Sequence, residues 1–247
     1  MSKFVVDLEF GDSGKGLVTS WLCDQVKSPL VIRASGGHQC GHTVNYNGNK
    51  HVFSSFGSGT LQGAPTYWSE FCTFYPIAFI NEYNALKGMG VRPKITVNPE
   101  CPVTTPFDVA ANRADYTNGS VGVGFGKTIE RDESYYKLRV KDFYLYEKIL
   151  QIKLFNIAKY YYKWQDDEAI LKTIKEFTEI IIKVKSLILI GKCPDLVSAS
   201  EYTNSNFYTK IYEGAQGILL DMDYGFFPNV TRSNTTTKNA ITSLQKV

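Results

Sequence analysis

The sequence predicts an α/β fold with a mostly parallel central sheet flanked by helices. Three observations indicate it: short apolar segments alternate with helical ones, a glycine-rich loop joins the first strand to the first helix, and 43% of the 247 residues are hydrophobic. Alternation favours a parallel sheet, because each helix returns the chain to the same end of the sheet. No repeat divides the chain, so we expect residues 1–247 to form a single domain.

The first elements follow from apolar runs and the residues that interrupt them. The glycines of residues 11–16 indicate a loop of the kind that binds phosphate, and Asn47-Gly48 indicates a hairpin turn because both residues accept positive φ. Gly88 and Gly90 end a helix, and Thr105-Pro106 begins another. The predicted order is strand 4–8, helix 17–26, strand 30–32, hairpin 43–53, helix 79–86, strand 94–97 and helix 107–113.

The second half of the chain begins with a helical subregion at residues 141–185. Apolar residues recur there at helical spacing in two stretches separated near residues 165–167, which predicts an antiparallel helical pair. Its aromatic residues lie on the apolar stripe, so packing is favoured over nucleic-acid binding. Strands are predicted at 187–190 and 207–212, and the second leads into a loop at 213–217.

Composition excludes several classes of protein. A net charge of +3, spread among acids, gives no electrostatic surface for nucleic acid. The longest apolar run, at 180–190, is interrupted by two lysines and is too short to cross a membrane. An acid at position 7 argues against a secretory signal, and five cysteines without a CxxC pair argue against a disulfide framework. We therefore expect a cytoplasmic protein.

The loop at residues 11–16 has the composition of a phosphate site. Its glycines allow backbone N–H groups to converge on an anion at the helix N-terminus, and Lys15 adds a positive charge. The full P-loop spacing is not met, because Glu9 stands at its first glycine and Gly16 follows the lysine. Asp12 indicates a metal ligand or a general base. The alternative is a tight turn with a solvated lysine.

Three further segments carry polar groups that can contact a ligand. Residues 36–43 hold two of the three histidines among glycines, where a histidine can act as an acid; His38, Cys40 and His42 also alternate, which leaves zinc binding as an alternative. Residues 119–126 are glycine-rich, and residues 213–236 contribute Gln216 and a run of hydroxyls. Each segment taken alone is also compatible with an ordinary polar loop.

Together the segments resemble adenylosuccinate synthetase. The resemblance lies in GDSGKG at 11–16 (usually GDEGKG), GGHQCGHT at 36–43 (usually GGHNAGHT) and EGAQGILLDMDYGFFPNVTRSNTT at 213–236. It implies a Mg²⁺-dependent ligase that uses GTP to join L-aspartate to C6 of IMP through a 6-phosphoryl intermediate, acting as a homodimer. The resemblance implies catalytic roles for Asp12, Lys15, His42 and Gln216. It places Mg²⁺ at Asp12 and Gly41, and the nucleotide at Ser13, Gly14, Gly16, Gln39, Val121, Arg139 and Thr231.

The sequence also departs from the family pattern. Ser13, Gln39 and Val121 replace a glutamate, an asparagine and a threonine, and Tyr135 replaces an arginine that reaches the partner subunit's nucleotide. Viral relatives that act on dGMP, with ATP or dATP as possible donors, are the second interpretation; IMP ranks first because Asp12 is retained. The family continues beyond the last motif, so the sequence predicts a C-terminally truncated chain. A purine-nucleotide-binding module without catalysis is the remaining alternative.

Overall fold

The computed structural model describes residues 2–115, 120–162, 167–194 and 208–245. Its main sheet has six strands in the order β1-β8-β2-β5-β6-β7, and all five pairings are parallel. The strands are β1 (Ser2–Asp7), β2 (Pro29–Arg33), β3 (His42–Tyr46), β4 (Asn49–Phe53), β5 (Thr66–Trp68), β6 (Ile95–Val97), β7 (Leu189–Ile190) and β8 (Thr209–Gly217). The parallel α/β fold is thus confirmed.

Seven helices are assigned within the described residues; the first six lie between strands, and the seventh follows the last strand. They are α1 (Lys15–Asp24), α2 (Pro76–Gly88), α3 (Pro106–Ala114), α4 (Phe125–Asp132), α5 (Glu147–Tyr161), α6 (Asp167–Lys185) and α7 (Lys238–Gln245). α3 begins with a capping box in which Thr105 and Asp108 satisfy each other's backbone N–H groups. None of these helices combines the length and the apolar character that crossing a bilayer requires.

The predicted hairpin is confirmed as β3 and β4, which form a separate antiparallel pair. Asn47 and Gly48 adopt φ of 49° and 80°, as a two-residue turn requires. Three short elements were not predicted: strand β5 and helices α4 and α7. The strand has three residues and each helix has eight, so none is long enough to show a clear hydrophobic period. Parts of three predictions lie outside the described residues. They are residues 165–166 of the predicted helix break, residue 119 of the glycine-rich segment and residue 207 of the predicted strand 207–212.

The main hydrophobic core lies between the sheet and the helical subregion. Buried side chains of α5 and α6, such as Leu154 and Phe177, belong to one cluster with Phe56, Phe79 and Val97. The two helices pack against each other, and α6 also packs against α2. The helical pair is therefore part of the same core as the sheet, which stabilises that side of the molecule.

One predicted loop is wrong. Residues 213–217 continue β8 rather than leaving it, because β8 is a central strand whose residues pair with β1 on one side and with β2 on the other. Glu213 lies opposite Val5 and Arg33, and Gly217 lies opposite Asp7. A Cβ at Gly217 would lie 1.9 Å from the carbonyl oxygen of Glu9, so only glycine fits this approach of two backbones.

Candidate active site

A cavity of about 560 Å³ opens where three adjacent parallel strands end. Its walls come from residues 10–16 after β1, residues 39–43 after β2, and the end of β8 with the turn behind it. Ligands of open α/β sheets bind at this edge, outside the carboxyl ends of the strands. Three of the four segments selected from the sequence are therefore brought together around one space.

The first wall is the glycine loop that ends at the N-terminus of α1. Gly11, Asp12 and Gly14 adopt φ of 138°, 59° and 84°. Gly14 is the N-cap of α1, and no side chain bonds to the backbone N–H groups of the first turn. Those N–H groups and the helix dipole favour an anion next to the cavity. This geometry suits the anion site that the glycine spacing predicts, and anion binding itself stays a prediction.

Lys15 begins α1 and is paired with an acid that the sequence analysis did not select. Its Nζ lies 2.9 Å from Oδ2 of Asp7, and both side chains are buried. Asp7 also accepts backbone N–H bonds from Glu9 and Ser13. Burial would raise the pKa of Asp7, but Lys15 and these two N–H groups lower it below its ordinary value. The lysine charge is thus held at the wall of the cavity instead of projecting into solvent.

His42 begins β3 and joins the second wall to the third. Its Nδ1 lies 2.8 Å from Oε1 of Glu213, and its Nε2 lies 3.3 Å from the backbone oxygen of Ala215. Because Oε1 is a carboxylate oxygen, Nδ1 carries a hydrogen and donates it. Nε2 lies on the side of the ring that meets Ala215, another residue of the cavity wall. His42 is therefore a residue of the cavity wall whose ring is held at both nitrogens, by Glu213 and by the carbonyl of Ala215.

Glu213 lies beneath the cavity wall and is almost completely buried. Its carboxylate accepts hydrogen bonds from His42, from the hydroxyl of Ser58 and from the backbone N–H of Ser58, and Oε2 lies 3.8 Å from Nη1 of Arg33. Burial by itself would raise the pKa of Glu213, but His42, Arg33 and Ser58 together lower it to about 2. Glu213 is therefore ionised at neutral pH.

Two glutamines contribute amide groups that lack partners among the described residues. Both amide atoms of Gln39 and Oε1 of Gln216 are buried without a hydrogen bond. The Gln39 amide packs over Gly36 and Gly37, where an added Cβ would lie 3.3 Å from its Nε2 and 3.1 Å from its Oε1. Buried amides are normally bonded, so these atoms fit the polar edge of a ligand.

The predicted magnesium ligands also line the cavity. Asp12 is exposed and forms no ion pair with the described residues, and Gly41 belongs to the wall formed by residues 39–43. Mg²⁺ is usually held by one or two carboxylates together with substrate phosphates and waters. One carboxylate and one carbonyl group next to an anion site therefore fit that cation. No group of three or more metal-ligating side chains occurs in the described part of the chain.

The zinc alternative fails on geometry. His38, Cys40 and His42 do not share one strand face, because β3 begins only at His42. The His38 ring packs edge-on to Tyr75, and the Cys40 sulfur lies 2.9 Å from Nη2 of Arg33. The three side chains therefore have separate partners.

Eight of the twelve predicted site residues line the cavity: Asp12, Gly14, Lys15, Gly16, Gln39, Gly41, His42 and Gln216. The other four do not. Ser13 bonds within its own loop, Val121 is exposed, and the backbone N–H of Thr231 bonds to Leu220. Arg139 pairs with Asp132 and Glu100 at 3.0 and 2.7 Å, and these acids raise its pKa.

Sequence reasoning missed the two buried acids, Asp7 and Glu213. A signal was present, since Asp7 ends the apolar strand β1, Glu213 lies in the otherwise uncharged run of residues 211–217, and Arg33 ends β2. Charges inside strands buried on both faces require partners. Their partners could not be read from the sequence, because His42 and Glu213 are 171 residues apart.

Comparison with known proteins agrees with these motifs. The family model for adenylosuccinate synthetase matches residues 4–246. Adenylosuccinate synthetase from Actinobacillus succinogenes is 32% identical over 249 residues, covering 96% of this chain and 57% of that protein. The enzyme from Shewanella denitrificans is 33% identical over 254 residues, with the same two shares. The chain thus spans little more than half the length of these relatives.

Two solved structures share the fold. Fully ligated adenylosuccinate synthetase from Plasmodium falciparum has a TM-score of 0.74 at 20% identity, over 98% of this chain and 57% of that one. Succinoaminodeoxyadenylate synthetase (PurZ) of cyanophage S-2L, described as bound to dGMP and to dATP as an energy donor, has a TM-score of 0.67 at 17% identity, over 98% and 59%. Since the family model spans nearly all of these residues, the chain belongs to the adenylosuccinate synthetase family.

Proposed function

We propose that this chain carries the phosphoryl-transfer site of an enzyme that uses GTP to join L-aspartate to C6 of IMP, giving adenylosuccinate. One observation carries the proposal: the loop at 11–16, residues 39–43 and the end of β8 form one cavity that contains Asp12, Lys15, His42 and Gln216. Family membership supports the same reaction. The proposed step is transfer of the γ-phosphoryl group to O6 of IMP, followed by displacement of phosphate by the amine of aspartate.

The residues suit that step in different ways. Asp12 would take the proton from N1 of the base, which increases the negative charge on O6 for attack. Lys15, with the N–H groups of α1, would neutralise phosphate charge, and His42 would donate from Nε2 to the transferring phosphoryl group. Gln216 would orient the base through its unpartnered oxygen. Enzymes catalyse phosphoryl transfer mainly by positioning the reactants and by stabilising charge, and these are the roles proposed for the four residues.

Asp12 and the carbonyl group of Gly41 would hold Mg²⁺, which would supply positive charge to neutralise the phosphate oxygens. We further propose that the complete enzyme is a cytoplasmic homodimer, as the family resemblance implies. Tyr135, at the position of the family's cross-subunit arginine, is fully exposed. Sedimentation of the purified chain with and without nucleotide tests dimerisation.

A guanine nucleotide is the second candidate acceptor. The cyanophage protein, whose fold is shared, is described as bound to dGMP and dATP. Gln39 replaces the family's asparagine in the nucleotide site, and its longer side chain changes the contacts available to the acceptor. The product would then be 2-aminoadenylosuccinate, with ATP or dATP as a possible donor. Because Asp12 is retained, IMP remains the first candidate acceptor.

The test is consumption of L-aspartate by the purified chain with Mg²⁺ and either GTP or ATP. IMP, GMP and dGMP are compared as acceptors, and the succinylated product is detected by its mass. Product with IMP supports the first proposal, and product only with a guanine nucleotide supports the second. Asp12→Asn and His42→Asn should each lower turnover by about 10²-fold or more while circular dichroism stays unchanged. Retained turnover in either variant would exclude its assigned role.

A chain that gives no product is tested for nucleotide binding by calorimetry. Binding of IMP or GTP that is weakened in Lys15→Met, without turnover, would favour a purine-nucleotide-binding module. Absence of both turnover and binding would contradict the proposed function.

A further inference from the structure

Glu213 is surrounded by hydrogen-bond donors and does not itself line the cavity. Oε1 faces Nδ1 of His42 and the hydroxyl of Ser58, whereas Oε2 faces the backbone N–H of Ser58 and, at 3.8 Å, the guanidinium of Arg33. Arg33 is completely buried, and its guanidinium also stacks over the Trp68 ring at 5.2 Å. The carboxylate is therefore held by several donors, and these donors come from different parts of the fold.

We propose that Glu213 is a positioning residue that holds the His42 ring with a proton on Nδ1 and with Nε2 turned towards the cavity. No role was assigned to Glu213 above, since it does not line the cavity of the candidate active site. Its effect on a bound nucleotide would pass through the side chains that it bonds, and of these His42 lines the cavity directly.

A ring that donates from both nitrogens must carry a proton on each, and each nitrogen faces an acceptor in the structure. Nδ1 donates to Glu213, and Nε2 lies 3.3 Å from the carbonyl of Ala215, so both ring nitrogens have an acceptor. A phosphoryl oxygen in the cavity would replace the carbonyl of Ala215 as the acceptor of Nε2–H. This last role rests on the proposed function, whereas the position of the Nδ1 proton does not.

Replacing Glu213 by glutamine should reverse the tautomer of His42. Glutamine offers one oxygen and one NH₂ group in place of two oxygens. The backbone N–H of Ser58 and the guanidinium of Arg33 can only donate, so they hold the amide oxygen at the Oε2 position. The NH₂ group then faces Nδ1, which must accept. The neutral ring is expected to move its proton from Nδ1 to Nε2.

The experiment is ¹⁵N NMR of the histidine rings in the purified chain. The chain contains three histidines, and loss of one set of signals in His42→Asn assigns the ring. We expect a protonated Nδ1 in the wild type and an unprotonated Nδ1 with protonated Nε2 in neutral Glu213→Gln. An unprotonated Nδ1 in the wild type would overturn the proposal, and this measurement decides it even where the variant fails to fold. A folded variant that keeps Nδ1–H would overturn it equally.

Glu82→Gln is the matched control. Glu82 is also a buried glutamate next to a histidine, with Oε1 3.4 Å from Nε2 of His51. Its substitution should leave the His42 signals unchanged, and a change there would show that the effect is general and overturn the assignment to Glu213.

Turnover separates this proposal from the proposed function. In an active enzyme, Glu213→Gln should lower kcat by about 10²-fold and change KM for the nucleotide by less than about threefold, because the lost effect is on the reacting phosphoryl group. A switched tautomer with unchanged kcat would confirm the positioning role and exclude His42 as the acid. An unswitched tautomer overturns the positioning role whatever the rate.

Discussion

A single buried residue pair, Lys15 with Asp7, determines how the glycine loop leaves β1. The carboxylate of Asp7 accepts the N–H groups of Glu9 and Ser13 and the Lys15 ammonium, so it fixes both ends of the loop. Removing one partner of a buried ion pair costs more than the pair itself contributes, because the remaining charge stays in the interior.

Lys15→Met therefore tests the energy of this contact. We expect the free energy of unfolding in urea to fall by about 3 kcal/mol, since Asp7 keeps only its two backbone donors. Lys141→Met is the control, because Lys141 pairs with Glu100 at the surface and should change stability by less than about 0.5 kcal/mol. Adding Asp7→Asn to Lys15→Met should restore part of the loss. Equal losses in the two lysine variants would contradict the buried pair.

Between elements, α1 approaches β3 closely at the site. A Cβ added at Gly16 would lie 2.8 Å from the Cβ of His42 and 3.1 Å from the Ser58 hydroxyl oxygen. Gly16 therefore does more than release backbone N–H groups for an anion. It lets the first turn of α1 pack directly on the residue that faces the cavity.

Gly16→Ala is expected to separate α1 from β3. Overpacking of this kind costs about 1–3 kcal/mol, and the melting temperature should fall accordingly. Gly88→Ala is the matched control, since Gly88 is also helical and an added Cβ meets nothing within 4 Å. That control should stabilise the chain by about 0.5 kcal/mol through the unfolded state. A Gly16→Ala chain as stable as the control would show that α1 can shift freely.

Elements with a strong local signal were predictable from sequence, and elements set by distant contacts were not. The Asn47-Gly48 turn and the capping of α3 by Thr105 depend on neighbouring residues alone. By contrast, residues 213–217 read as a loop because of their glycines, yet Glu213 pairs with both β1 and β2 and Gly217 still pairs with β1, which keeps the segment in β8. The same limit applies to the site: its glycine loop was visible in the sequence, whereas the partner of His42 was not.

In the molecule as a whole, the charges of the site are linked to the stability of the sheet. Glu213 and Arg33 are paired residues on the neighbouring strands β8 and β2, and Glu213 also bonds to β3 through His42. Three strands thus share one ionised carboxylate in the interior. Protonation of that carboxylate should weaken the whole fold, not the cavity alone.

Acid unfolding tests this link. The pKa of Glu213 lies at about 2 in the folded chain against 4.5 ordinarily, so the unfolded chain binds the proton first. The stabilisation is complete above about pH 4.5 and is lost as the pH falls towards 2, on the order of 3 kcal/mol in total.

Urea unfolding at a series of pH values measures this loss. The free energy of unfolding should decline less below pH 4.5 in Glu213→Gln than in the wild type. Glu100→Gln should retain nearly the wild-type decline, because the Glu100 side chain is 44% exposed and its ion pairs are screened by solvent. Parallel curves for wild type and Glu213→Gln would mean that the buried carboxylate does not control acid stability.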